Sequence, residues 1–153
     1  MAQLFCDLDG VLADFDGYYK RLFGVDPRGG GVVDWDAMRA HGDFYTDMPE
    51  LTGSRILWHY ISPLNPIILT ALPRSIPEAA RYKRAWVQRH FGCSVGVCCC
   101  KSGRKYQYAE PGDILIDDRN VDRKRWIKAG GVWVAHATAE DTVIQLRDLG
   151  VIE

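Results

Sequence analysis

The sequence has no excess of basic residues. It holds 19 lysine and arginine residues against 20 aspartate and glutamate residues, so its net charge at pH 7 is −1 with histidine neutral. Proteins that bind nucleic acids or membrane surfaces without specificity usually carry a marked positive excess. We therefore expect no stable nucleic-acid complex and no attachment to a membrane.

Long apolar runs are also missing. No stretch approaches the roughly 20 apolar residues that a membrane-spanning helix needs. The N-terminus has no charged segment followed by an apolar one, as a secretory signal would have. The 47% of apolar and 25% of charged residues are typical of a globular domain. These features predict one cytoplasmic domain over residues 1–153, and they are compatible with a homodimer.

Cysteine is too scarce and too clustered for a disulfide framework, because the number is odd and three of the residues are adjacent. A zinc site does not fit either. Consecutive residues of a strand point to opposite faces, and no C-x-x-C pair or nearby histidine pair completes four ligands. We interpret the cysteines as small buried apolar residues: Cys6, Cys93, Cys98, Cys99 and Cys100.

The two common glycine-rich phosphate motifs are absent as well. Neither G-x-G-x-x-G nor G-x-x-x-x-G-K-[ST] occurs in the sequence, which argues against a dinucleotide-binding fingerprint and a P-loop. The one glycine triplet follows Arg28. We interpret this stretch, residues 28–31, as a mobile loop.

Two acidic residues follow the first apolar run of the chain. Residues 4–6 are apolar without interruption, which predicts a short strand buried on both faces in the middle of a sheet. Asp7, Asp9 and Gly10 come directly after it. Neighbouring carboxylates repel each other and are costly to bury unless a cation offsets them. Mg²⁺ is the simplest such cation, although a solvated acidic turn would account for this stretch taken alone.

Four further short apolar runs predict strands, and the stretches between them have the apolar spacing of helices. The alternation predicts an α/β fold with a Rossmann-like, mostly parallel five-stranded sheet and helices on both faces. Thr70 ends the second predicted strand, and Asp117 and Asp118 follow the fourth. Such sheets bind ligands at the carboxyl ends of their strands. The predicted strands are residues 4–6, 66–70, 94–100, 114–116 and 132–135.

One predicted helix begins after a capping-box pattern at residues 75–78 and ends at Gly92. Tyr82 and Trp86 contribute to its apolar face. Because a solvated helix surface explains basic residues without a polyanionic partner, we assign four of them to solvent. They are Arg81, Lys83, Arg84 and Arg89.

Two other predicted helices have polar residues at their starts. Thr52 or Ser54 caps the first, whose apolar face includes Ile56. Thr138 caps the second, which should turn Ile144 towards the core and end near residue 150.

The acidic motifs resemble those of a known family. D-L-D-G-V-L-A-D, residues 7–14, is similar to the first motif of the haloacid dehalogenase (HAD)-like phosphatases, and its extension through Phe15 and Asp16 is similar to the 5′(3′)-deoxyribonucleotidase branch. D-I-L-I-D-D-R, residues 113–119, resembles the fourth motif of that branch. Residues 42–62 resemble its return from cap to core. The matches occur in the family's order along nearly the whole chain.

The resemblance implies a site. Asp7 would attack phosphorus to give an aspartyl-phosphate, and Asp9 would protonate the leaving oxygen and then activate water. Lys105 would be the lysine of the third motif, with Lys101 or a basic surface loop as alternatives. The implied phosphate-binding residues are Gly10, Thr70, Ala71 and Lys105. The implied Mg²⁺ ligands are Asp7, the backbone carbonyl of Asp9, and Asp117 or Asp118, between which the sequence does not choose.

The resemblance also implies a small helical cap inserted at about residues 16–50 and a small phosphorylated substrate, a nucleoside monophosphate. The residues expected to face the substrate are Phe15, Trp35, Phe44, Tyr45 and Arg119. A phosphatase for a sugar phosphate or a polynucleotide end remains an alternative, as does a phosphate-binding module without turnover. The presence of both Asp7 and Asp9 argues against the last.

Overall fold

The computed structural model describes residues 2–153 and contains a sheet of five strands, all parallel, in the order β3-β2-β1-β4-β5. Strand β1 lies in the middle, where Phe5 pairs with Ile67 on one side and Leu115 on the other. The predicted α/β fold with its buried central first strand is confirmed. The strands are β1 Leu4–Cys6, β2 Ile67–Leu72, β3 Val97–Lys101, β4 Ile114–Asp117 and β5 Val132–Ala135.

Two strand boundaries differ from the prediction by more than one residue. Strand β2 runs two residues past Thr70, because Ala71 and Leu72 still pair with β3. Strand β3 begins at Val97, three residues later than predicted. The residues before it form a turn, in which the backbone amide of Val95 donates to the carbonyl of Gly92 at the end of the preceding helix. As a result Thr70 lies inside a paired strand.

Helices cover both faces of the sheet. On one face Phe5, Leu69 and Leu115 pack with Trp126 of a helix after β4. On the other face Cys6, Ile68 and Ile116 belong to the larger core, since alternate residues of a strand point to opposite sides. Seven α-helices lie within residues 2–153: α1 Phe15–Phe23, α2 Trp35–His41, α3 Phe44–Asp47, α4 Ser54–Ile61, α5 Ala79–Phe91, α6 Arg123–Lys128 and α7 Ala139–Asp148.

Helices α1 to α3 form a small lobe, residues 15–48, between β1 and α4. Its interior is aromatic: the ring centroids of Phe15 and Phe44 lie 5.2 Å apart, and those of Tyr19 and Phe23 lie 4.7 Å apart. Two 3₁₀ helices, Ser62–Leu64 and Lys105–Tyr108, complete the described secondary structure. Within the described residues, no helix is both long and apolar enough to cross a bilayer.

Two of the predicted helix caps do not form. Helix α4 begins after Gly53, so neither Thr52 nor Ser54 is the cap residue. The cap residue of α5 is Glu78, which makes no capping hydrogen bond with its side chain, because a turn that ends at Ala79 occupies the capping-box stretch. The predicted cap at Thr138 is confirmed, since its hydroxyl accepts from the amide of Asp141.

Three predicted orientations are wrong. Ile56 and Ile144 are exposed, because only one side of the short helices α4 and α7 meets the core. The error with the largest consequence concerns Lys83, which the sequence pattern places in solvent but which is only 1% exposed. A lysine buried to that extent requires partners for its charge.

The cysteines differ in burial. Cys6 is buried, as predicted, whereas Cys93 is exposed and Cys98, Cys99 and Cys100 are half-buried. The last three lie on β3, which is an edge strand and therefore has a neighbouring strand on one side only. The prediction of buried apolar residues thus fails for four of the five.

Candidate active site at the strand ends

Asp7 and Lys105 meet at the end of the central strand. Asp7 directly follows β1 and is 7% exposed, and its Oδ1 accepts from the amide of Leu8 at 2.8 Å. The ammonium nitrogen of Lys105 lies 2.9 Å from the same Oδ1 and 2.7 Å from Oδ2 of Asp117. The buried lysine therefore bridges the ends of two adjacent strands. Lys101, the alternative, is exposed.

A cluster of carboxylates surrounds this lysine. Asp7, Asp117 and Asp118 each offer an oxygen, and the three oxygens lie within 4.8 Å of one another. Oδ1 of Asp118 is buried and has no hydrogen-bond partner in the described residues. Carboxylate oxygens are the ligands that Mg²⁺ prefers, and an orphaned buried oxygen requires a cation or donor. The donor set thus fits Mg²⁺.

The surroundings shift the pKa values of Asp117 and Lys105. Burial raises the pKa of Asp117 to about 6, and the charge of Asp7 adds to the effect although Lys105 opposes it. Burial alone would lower the pKa of the Lys105 ammonium, but the carboxylates of Asp7 and Asp117 outweigh it and hold that pKa above its usual range. Lys105 is therefore charged at neutral pH, and the ionised form of Asp117 is destabilised by its surroundings.

Arg28 approaches the same cluster from the loop between α1 and α2. Its guanidinium donates to Oδ2 of Asp118 and also to Asp16. Oδ1 of Asp16 also accepts a hydrogen bond from the guanidinium of a second arginine, Arg119, at 3.2 Å. The sequence prediction of a mobile loop missed this contact, since nothing in residues 28–31 indicates which acid the arginine meets. Arg28 thus joins the lobe to the carboxylate cluster.

Asp9 lies two residues beyond Asp7 and has a different partner. Its Oδ2 accepts from the ammonium of Lys83 at 2.7 Å, while its Oδ1 is buried and unpartnered in the described part of the chain. Lys83 also donates to the hydroxyl of Thr70 and to the carbonyl of Ala71. Sequence analysis missed Lys83, although its position four residues after Ala79 and three before Trp86 places it on the buried face.

Gly10 allows the close approach of the two acidic turns. Its φ is +82°, and a Cβ atom at this position would overlap the carboxylate of Asp118. Its amide donates to the carbonyl of Ala13 at 2.8 Å. Gly10 therefore serves to turn the backbone. Its amide is already bonded to Ala13, so it offers no free N–H group for the phosphate contact that the resemblance implies.

Asp7, Asp9, Lys83, Lys105 and Asp117 line a cavity of about 200 Å³, and Gly10 and Asp118 lie outside its lining. Phe15, Trp35 and Tyr45 line it from the lobe. Phe44 does not line it, because its ring lies behind Phe15 in the lobe interior, 2% exposed. The predicted site residues that share the cavity wall are Asp7, Asp9, Phe15, Trp35, Tyr45, Thr70, Ala71, Lys105, Asp117 and Arg119.

Comparisons with known proteins show a similar fold in solved structures but do not match the chain to a family. No family model matches the chain, and no curated protein matches its sequence. A crystal structure of an uncharacterized protein from Corynebacterium glutamicum is similar with a TM-score of 0.51 and 16% identity, over 100% of this chain and 97% of that one. A HAD hydrolase, family IA, variant 3, from Entamoeba histolytica has a TM-score of 0.46 and 14% identity, over 97% and 89%. The first similarity shows a shared fold.

Proposed function

We propose that this chain is a Mg²⁺-dependent phosphomonoesterase of the HAD type that works through an aspartyl-phosphate. The observation that carries the proposal is the bridge from Lys105 to Asp7 and Asp117 inside a cluster of three carboxylates. A structural ion pair needs one acid for one base. Here acids exceed bases at the end of a central strand, where α/β sheets bind ligands.

Asp7 is the nucleophile in this proposal. Both of its contacts, from Leu8 and Lys105, are made to Oδ1, so we assign the attack on phosphorus to Oδ2. As the bond between Oδ2 and phosphorus forms, the ester bond to the leaving oxygen breaks. Lys105 holds the attacking carboxylate in place and offsets its charge, as a preorganised cation does in a dry site.

Asp9 handles the protons. Its Oδ1 gives a proton to the leaving oxygen in the first step. In the second step Asp9 takes a proton from water, whose oxygen attacks phosphorus and releases Asp7 and inorganic phosphate. Because the side chain of Asp9 is bound to Lys83, we assign only its backbone carbonyl to the metal.

Asp118 is the better third ligand for Mg²⁺. Both oxygens of Asp117 are already used, Oδ1 by the amide of Arg119 at 2.9 Å and Oδ2 by Lys105. Oδ1 of Asp118 is unpartnered among the described residues. When bound, Mg²⁺ would offset the repulsion between the carboxylate and the phosphate. Asp7, Asp118 and the Asp9 carbonyl would hold it.

The substrate we propose is a nucleoside monophosphate. Phe15, Trp35 and Tyr45 form an aromatic wall that a base could stack on, and Arg119 adds a positive charge at the cavity. The cavity of about 200 Å³ suits a small ester. A sugar phosphate would use the same acids but would gain less from the aromatic wall.

Turnover of a substrate panel tests the function. We expect release of inorganic phosphate from nucleoside monophosphates to exceed release from sugar phosphates and 3′- or 5′-phosphorylated oligonucleotides, and EDTA to abolish it until Mg²⁺ is returned. Asp7→Asn should fold as the wild type does but lose activity, because an amide is a poor nucleophile towards phosphorus. Near-normal hydrolysis by the Asn variant would remove Asp7 from the mechanism.

A further inference from the structure

Lys83 is a buried cation that the motifs do not account for. It lies on α5, outside the acidic turns, and its side chain is 1% exposed. Its nitrogen has three partners: Oδ2 of Asp9 at 2.7 Å, Oγ1 of Thr70 at 3.0 Å and the carbonyl of Ala71 at 2.7 Å. An ammonium carries three hydrogens and no acceptor. All three hydrogens are thus committed to the protein, which leaves none for a substrate.

The contact with Thr70 fixes the direction of a hydroxyl. Because an ammonium can only donate, Oγ1 of Thr70 must accept from Lys83. The hydrogen of that hydroxyl then has to point to another acceptor. Thr70 lines the cavity, so a phosphate oxygen there would receive it. Lys83 in this way makes Thr70 a donor towards the ligand.

The contact with Asp9 separates the roles of its two oxygens. Oδ2 is held by Lys83, whereas Oδ1 is buried without a partner in the described residues. The ring of Tyr45, 5.4 Å from the Lys83 nitrogen, covers the cation from the lobe side. A carboxyl group that is anchored by one oxygen holds the other, which carries the proton in the first step, in a fixed direction, as proton transfer to a leaving group requires.

We propose that Lys83 is a positioning residue for this site: it fixes the Asp9 carboxylate and the Thr70 hydroxyl in register with each other, so that proton donor and phosphate-binding group face one ligand. This inference rests on the proposed function and deepens it. Lys83 differs from Lys105, which contacts the nucleophile Asp7 itself.

Leaving-group dependence tests the proposal. In Lys83→Met the Asp9 carboxylate loses its anchor, so an alkyl phosphate, whose leaving oxygen needs a proton, should suffer more than 2,4-dinitrophenyl phosphate, whose leaving group needs none. We expect the ratio of kcat/KM for a nucleoside monophosphate to that for the aryl ester to fall by about 10²-fold, the lower end of what a positioned general acid contributes. Arg81→Met, an exposed position on the same helix, should leave the ratio unchanged.

An unchanged ratio in folded Lys83→Met would overturn the role of Lys83 while leaving the phosphatase intact. A wild type that hydrolyses neither ester would instead overturn the proposed function. If the Met variant does not fold, NMR of the lysine ammonium groups in the wild type tests whether Lys83 is anchored. The Lys83 ammonium should exchange its hydrogens far more slowly than that of exposed Lys20 and keep a hydrogen-bond coupling to the Asp9 carboxylate. Exchange as fast as that of Lys20 would refute the anchoring.

Discussion

The ammonium nitrogen of Lys105 lies 2.9 Å from Oδ1 of Asp7. One residue is at the end of the central strand and the other is in a short 3₁₀ helix far along the chain. The contact pairs a cation with a carboxyl group that is only 7% exposed, and burial of such groups is tolerated when they are paired and hydrogen-bonded.

Replacement of Lys105 by Ala should lower kcat by about 10²- to 10³-fold, which is what one preorganised charge contributes. The variant should also be less stable, because two buried carboxylates lose their shared partner. Steady-state kinetics on the fraction shown to be folded by circular dichroism measures the effect. Lys101→Ala, at an exposed position, is the control and should cost little. The reverse order of the two variants would assign the third-motif role to Lys101.

The pKa of Asp117, raised to about 6, predicts a pH-dependent stability. A carboxyl whose folded-state pKa lies above the unfolded value of about 3.9 favours the folded state in its protonated form. Its contribution is therefore complete below the unfolded pKa and is lost as the pH rises through about 6. In EDTA, the Tm of the wild type should fall relative to that of Asp117→Asn between pH 4 and pH 7. Parallel Tm profiles of the two proteins would contradict the cost of burying the ionised Asp117. Addition of Mg²⁺ at pH 7 should restore the Tm of the wild type.

Arg28 competes for a proposed metal ligand. Because its guanidinium already donates to Oδ2 of Asp118, its positive charge repels a cation that binds at Oδ1 of the same carboxylate. Arg28→Ala should therefore bind Mg²⁺ about fivefold more tightly by calorimetry, on the order of 1 kcal/mol for a partly exposed ion pair. Arg21→Ala removes another exposed arginine of the lobe, which pairs with Asp14, and should not change the affinity. Weaker Mg²⁺ binding by the Arg28 variant would show that the arginine supports the metal site.

Substitution of two aromatic residues of the lobe should distinguish contact with the substrate from packing in the core. Phe15 is 6% exposed and packs against several rings, whereas Trp35 is 36% exposed, and both line the cavity. Trp35→Ala should lower nucleotide turnover by one to two powers of ten, as loss of a base stack of about 1–3 kcal/mol does. It should leave a small aryl phosphate and the Tm almost unchanged.

Phe15→Ala, by contrast, should lower the free energy of unfolding by about 3–5 kcal/mol. The ratio of its nucleotide activity to its aryl phosphate activity shows whether Phe15 also stacks on the base. Activity on both esters, measured beside the Tm of each variant, decides. An unchanged ratio in both variants would favour the sugar-phosphate alternative.

The strands and the acidic turns could be predicted because both are local patterns. An uninterrupted apolar run followed by two acids is visible in residues 4–9 and again in residues 114–118. Helical spacing could have placed Lys83 on the buried face, but its partners could not be predicted in the same way. Whether a lysine on a helix faces water or a carboxylate depends on Asp9 and Thr70, which belong to other segments. Arg28 was missed for the same reason, since its partner Asp118 lies far along the chain.

The central position of β1 also bears on how the site forms during folding. Gln3, just before this strand, bonds to Asp113 across a separation of 110 residues, and β1 pairs with both β2 and β4. Contacts between distant segments close late and slowly, because the entropy of a long loop must be lost first. Asp7 therefore acquires its neighbours Lys105 and Asp117 only when strand β4 has docked. Recovery of catalysis during refolding would then report completion of the sheet, later than the appearance of helical signal.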